Sequence, residues 1–144
     1  MDPTRDRYRL STDPGDRDLG AIHRYLADAY WAVGRPTDVI DRSLDGSMTF
    51  ILLHDDRQVG MARVVTDRAT FAYLCDVYVL EEHQRRGLGR RLIETVMAHP
   101  DLQGLRRFSL VTRDAHALYS TFGFSALASP GGHMEIVRPG LYLG

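Results

Sequence analysis

The stretch TFAYLCDVYVL, Thr70 to Leu80, constrains this chain more than any other. It is rich in β-branched and aromatic residues and, Asp76 apart, mostly apolar at odd and even positions alike. A run of that kind suits a central strand covered on both faces. EEHQRRGLGRRL follows at once. Beyond it Leu88, Leu92, Ile93, Val96 and Met97 fall on one helical face, and Pro100 ends the helix. The pattern predicts a strand whose C-terminal end feeds a glycine-rich loop and then a helix N-terminus.

The rest of the chain fits around that unit. DRYRLST reads as a first strand, and DPGDRD as a turn and helix start. LGAIHRYLADAYWAVG places Ile22, Leu26, Ala29 and Val33 on one stripe, stopped by Gly34 and Pro36. TDVIDRSLDG is a second short helix with Thr37 as N-cap. MTFILLH and QVGMARVVT flank DDR as a hairpin, and TDRA turns the chain into the central strand. After the long helix come a strand in RRFSLVT, a short helix in DAHALYSTF closed by Gly123, and a final hairpin from FSALA and HMEIVRP around SPGG. The expected architecture is α/β: one domain over residues 1–144, a mixed sheet of six to seven strands and four helices.

Q-x-x-G-x-G, Gln84 to Gly89, carries the chemistry. A helix N-terminus presents unpaired N–H groups and a partial positive charge. Glycine lets backbone approach a phosphate closely, and arginines add forked, charge-assisted donors. The amides of Arg85, Arg86, Gly87, Leu88, Gly89 and Arg90 are therefore a candidate phosphate or pyrophosphate cradle, although the side chains of Arg90 and Arg91 also suit a solvated helix surface. All 18 Lys+Arg residues are arginine, so a lysine-dependent P-loop is excluded. Leu92 stands where a dinucleotide fingerprint would place its third glycine.

With that context the chain resembles the GCN5-related N-acetyltransferase (GNAT) superfamily. YLCDVYVLEEHQRRGLGRRLIETVM is similar to the family's central strand, pyrophosphate loop and helix. RRFSLVTRDAHALYSTFGF is similar to its next strand and helix, with the A-x-x-L-Y-x-x-x-G-F ending. The resemblance implies acetyl-CoA as donor cosubstrate, with the backbone of Val77, Tyr78 and Val79 pairing with the pantetheine arm. It implies direct attack of an amine in a ternary complex, with Tyr119 as general acid toward the CoA thiolate. Cys75 is then a bystander, a small buried hydrophobe. Thr112 stands where many relatives carry asparagine. Tyr73 stands where some carry a basic carboxylate.

The general base stays open. Asp76 is the only acid of the central strand, but strict alternation puts it on the opposite face from Tyr73, Cys75 and Val77. A carboxylate satisfied by backbone or arginine is the alternative reading. His116 lies one helical turn before Tyr119 and is a second candidate, and a water chain to bulk is a third. The acceptor wall is expected from Tyr30, Trp31 and Arg35 near the first helix, and from His133 and Glu135 on the final hairpin. Glu135 could attract a cationic amine.

Several classes are disfavoured. The net charge of −1 argues against a nucleic-acid partner. No apolar run approaches the ~20 residues of a membrane span. The six histidines lack close metal-ligand spacing, so no metal is implied. The start MDPTRDRYRL has no apolar signal core, and a lone cysteine forms no internal disulfide, so a cytoplasmic location is expected. A homodimer is expected from the resemblance. The rival to an enzyme is a non-catalytic acetyl-CoA or CoA sensor.

Overall fold

The structure, a computed structural model, describes residues 7–143; Asp6, the first residue of the predicted initial strand, lies outside them. The strands are β1 (Tyr8–Ser11), β2 (Met48–His54), β3 (Arg57–Thr66), β4 (Phe71–Val79) and β5 (Arg107–Leu110). The α-helices are α1 (Leu19–Asp28), α2 (Thr37–Asp45), α3 (Leu88–Ala98) and α4 (His116–Ser120). The sheet runs β1-β2-β3-β4-β5, antiparallel throughout except for the parallel pair β4–β5. The α3 connection makes that parallel pair possible, since parallel strands need a crossover.

Two layers of side chains clamp the sheet. Leu92, Ile93 and Val96 of α3 pack on Phe50, Val64 and Leu74. Ile22 and Leu26 of α1 and Ile40 and Leu44 of α2 pack on Ile51, Leu53 and Met61. Fully burying one such aliphatic side chain is worth about 1.5–3 kcal/mol. The DDR turn is a two-residue hairpin connection with Asp55 at φ 50° and Asp56 at φ 64°. Both left-handed residues match the twist of the flanking strands.

The sheet has five strands, against the six to seven expected. FSALA and HMEIVRP form no strand; among the described residues a short 3₁₀ turn at Pro130–Gly132 is the one regular element after α4. Met134 and Ile136 are 97% and 84% exposed. Their alternation describes two faces but supplies no strand edge to pair with, and β5 offers only four residues. Two helix termini also differ. Pro36, with its fixed φ of −62°, is the N-cap of α2, and Thr37 is its first residue. The α1 stripe stops at Asp28, where Ala29 turns extended and a 3₁₀ turn, Tyr30–Ala32, follows. Among the described residues no helix is long and apolar enough to cross a membrane.

Candidate active site

Strands β4 and β5 are paired only from Phe71–Arg107 to Leu74–Leu110. Beyond that point β5 has ended and β4 continues to Val79, so the edge of Cys75–Val79 that faces β5 has no strand partner among the described residues. A cleft of about 700 Å³ opens there, lined among others by Val77, Val79, Gln84, Thr112 and Tyr119. An unpaired strand edge facing a cleft is a ready-made hydrogen-bonding surface for an extended ligand.

The loop below this edge is shaped by one side chain and by backbone conformation. Gln84 donates from Nε2 to the Val79 carbonyl at 2.8 Å, tying the loop to the end of β4. Arg85 and Gly87 sit at φ 64° and 74°. Gly87 is the N-cap of α3, and no side chain caps the helix. The first amides of α3 thus have no side-chain acceptor. Gly89 has no positive φ to explain it, and a Cβ built there meets nothing within 4 Å. The space over Gly89 lies in front of uncapped amides and suits a phosphate group. The Arg90 side chain is engaged elsewhere, donating to Thr121 Oγ1 at 3.2 Å and lying over the Phe122 ring. Arg91 reaches the Tyr8 carbonyl. Arg90 is still an exposed helix position, as the sequence also allows, whereas Arg91 is half-buried and ties α3 to β1.

The opposite wall turns on a β-bulge. The β3–β4 register passes from Met61–Tyr78 to Arg63–Cys75, so β4 carries an extra residue there. Asp76 takes it up at φ 49°. Strict alternation is broken, and Asp76 is not turned away from Tyr73 and Cys75 as the sequence pattern predicts. Its carboxylate, 2% exposed, points to the α1–α2 side. Arg63 Nε donates to Oδ2 at 2.8 Å and Trp31 Nε1 to Oδ1 at 2.8 Å. Arg35 Nη1 reaches both oxygens, at 3.3 and 3.2 Å. Burial opposes ionisation of Asp76, but Arg63 and Arg35, with hydrogen bonds from Arg63 and Trp31, hold its carboxyl below the usual carboxylate range. It is a weak base. The break in α1 is what lets Trp31 reach it.

Burial pushes the Cys75 thiol up to about 11, so little thiolate exists at neutral pH. Burial likewise raises the phenols of Tyr73 and Tyr119. Tyr78 contributes its side chain to the core, stacked on Tyr25 with ring centroids 3.7 Å apart. Thr112 Oγ1 accepts from the Ala115 amide at 3.0 Å, which shapes the entry to α4. Tyr30, Trp31, Arg35 and Tyr73 share the cleft with Tyr119.

Three expected residues are elsewhere. His116 is exposed and lines an adjoining groove that shares Leu110, Val111, Thr112 and Tyr119 with the cleft, but it does not line the cleft itself. His133 and Glu135 are exposed on the C-terminal segment and line neither that groove nor the cleft, because the hairpin expected to carry them does not form. Arg63 was not among the predicted site residues. Its signal was present: it is the lone charge inside the apolar run VGMARVV. Among the described residues no group of three or more His, Cys, Asp or Glu side chains could hold a metal ion.

Comparison with known proteins gives consistent results. Residues 16–124 match the description of the acetyltransferase (GNAT) family. The chain is 34% identical over 139 residues to a Gibberella zeae protein named as an acetyltransferase, covering 81% of this chain and 77% of the other. It is 51% identical to a GNAT-family protein of Xanthomonas campestris pv. campestris whose crystal structure superposes with a TM-score of 0.91, covering 94% of this chain and 96% of that one. A GNAT-family acetyltransferase of Elizabethkingia anophelis, solved with acetyl-CoA bound, shares the fold at a TM-score of 0.65 and 15% identity, covering 94% of this chain and 91% of that one.

Proposed function

Because this chain belongs to the GNAT acetyltransferase family, we propose that it transfers the acetyl group of acetyl-CoA to an amine by direct attack within a ternary complex. The observation that carries this reading is the splayed end of β4 beside the uncapped start of α3. The first suits the pantetheine arm and the second the pyrophosphate, with Val77–Val79 and Arg85–Arg90 as the binding backbone. Acetyl-CoA supplies an activated acyl thioester to the cleft.

The residues of this chain then do three things. The free strand edge of Cys75–Val79 fixes the donor in line with the cleft. Tyr119, 8% exposed and held protonated by burial, is the general acid that protonates the departing thiolate. The acceptor ammonium loses one proton to become the attacking amine and a second as the amide forms; both pass to water, because Asp76 is too strongly held by Arg63 and Arg35 to take them and His116 does not line the cleft. One N–C bond forms, one C–S bond breaks, and Tyr119 regains its proton from solvent. Cys75 forms no acyl-enzyme.

A cytoplasmic homodimer belongs to the same reading. The lone, non-disulfide cysteine supports the location. The edge position of β5 and the exposed Met134 and Ile136 support self-association. A thiol-release assay over an amine panel tests the activity. Turnover that Tyr119→Phe reduces supports the transferase; tight acetyl-CoA binding with no turnover of any amine makes the chain a sensor instead.

A further inference from the structure

The floor of the cleft carries more positive than negative charge. Arg35 and Arg63, whose side chains are 16% and 13% exposed, share the single carboxylate of Asp76. Arg63 also donates from Nη1 to Ser47 Oγ at 3.0 Å. Arg63 Nη2 and both Nε and Nη2 of Arg35 make no hydrogen bond among the described residues. None of them is a buried orphan, so these donors keep access to open space.

The neighbouring groups do not supply the missing negative charge. Cys75 and Tyr73, both beside the pair, are neutral at physiological pH, and burial moves them further from ionising. At the rim Arg113 lies over the Tyr30 ring, 3.7 Å from its centroid, next to Asp114. A simple cationic amine entering here meets like charge in a half-desolvated site, where such repulsion is stronger than in water. A guanidinium fork with free donors is instead suited to a carboxylate.

Resting on the acetyltransferase reading, we propose that the acceptor is an amino-carboxylate: a small amine that carries its own carboxylate. The carboxylate pairs with the free donors of Arg35 and Arg63, and Trp31 and Tyr30 flank its carbon skeleton. The amine is thereby held toward the thioester and away from Asp76. The cleft of about 700 Å³ has room for the acetyl end of the donor together with an acceptor of amino-acid size. Glu135, on the exposed C-terminal segment, takes no part.

The test compares matched pairs in the thiol-release assay: an amino acid against its carboxamide, and β-alanine against propylamine. The carboxylate member should have the higher kcat/KM by at least about tenfold, equivalent to about 1.4 kcal/mol. Arg35→Gln should raise KM for the carboxylate members about tenfold, leave kcat and acetyl-CoA affinity nearly unchanged, and erase the preference. Equal or better turnover of the members lacking a carboxylate in the unaltered protein overturns this proposal and leaves the transferase reading standing. No turnover of any amine despite acetyl-CoA binding overturns the transferase reading and this proposal with it. The pairwise comparison needs no variant, so it decides the matter even where Arg35→Gln does not fold.

Discussion

The two walls of the cleft are built from different materials. The donor wall is backbone: the free edge of Cys75–Val79 and the uncapped amides after Gly87. The acceptor wall is side chain: Asp76 ringed by Arg63, Arg35 and Trp31. Backbone recognition tolerates most side chains and requires only glycines where a ligand approaches. Side-chain recognition is specified residue by residue and depends on the bulge that turns Asp76 inward. One wall therefore fixes a cosubstrate, and the other is free to choose an acceptor.

The largest expected effect belongs to the group where the two walls meet. Tyr119→Phe should lower kcat by roughly 10²–10⁴-fold, the range for loss of a general acid, with acetyl-CoA affinity unchanged by calorimetry. An unchanged kcat would make Tyr119 packing only. Disturbing the acceptor wall should instead appear in stability. Asp76→Asn leaves two guanidinium groups facing each other without a counter-charge and should cost about 3–5 kcal/mol, read by denaturant unfolding. A loss under about 1 kcal/mol would mean that the ring of donors does not depend on the carboxylate.

The pH dependence follows from the same carboxylate. Its folded-state pKa lies below the unfolded value of about 3.9. The stability it contributes is fully present above that value and is lost as pH falls through the lower folded pKa. Unfolding measured from pH 6 to pH 2 should show this acid-side loss in the unaltered protein and a shallower one in Asp76→Asn. Identical slopes would remove Asp76 from the account of acid stability.

Smaller effects separate the backbone wall from ordinary structure. Gly87→Ala should cost about 1–2 kcal/mol for a side chain at φ 74°, and thermal unfolding should register it. Cys75→Ala should leave kcat within about twofold, because a thiol with a pKa of about 11 supplies no nucleophile at neutral pH. A complete loss of activity there would reinstate an acyl-enzyme.

The same contrast explains what could be read from the sequence. The donor wall was legible because glycine spacing and helical periodicity are local properties: Gln84 to Gly89 and Leu88 to Met97 announce themselves. The acceptor wall was only partly so. Trp31 and Arg35 were singled out by composition beside a loop, yet nothing local joins them to Arg63, which is 28 positions further along the chain from Arg35. The orientation of Asp76 was misread because period-two alternation assumes a regular ladder, and the bulge lies in the pairing of β4 with β3. The final hairpin failed for a related reason: alternation in HMEIVRP shows that a strand could form, and pairing requires an edge within reach.

The most direct test of the account is an acetyl-CoA titration of Gly89→Glu by calorimetry. The position has open space around it and an ordinary φ, so the variant should fold with unchanged thermal stability. If the pyrophosphate sits over the first turn of α3, the added carboxylate occupies and repels that site, and the dissociation constant rises by at least about 100-fold, equivalent to about 2.8 kcal/mol. An unchanged dissociation constant in the folded variant would contradict the placement of the donor and, with it, the central claim.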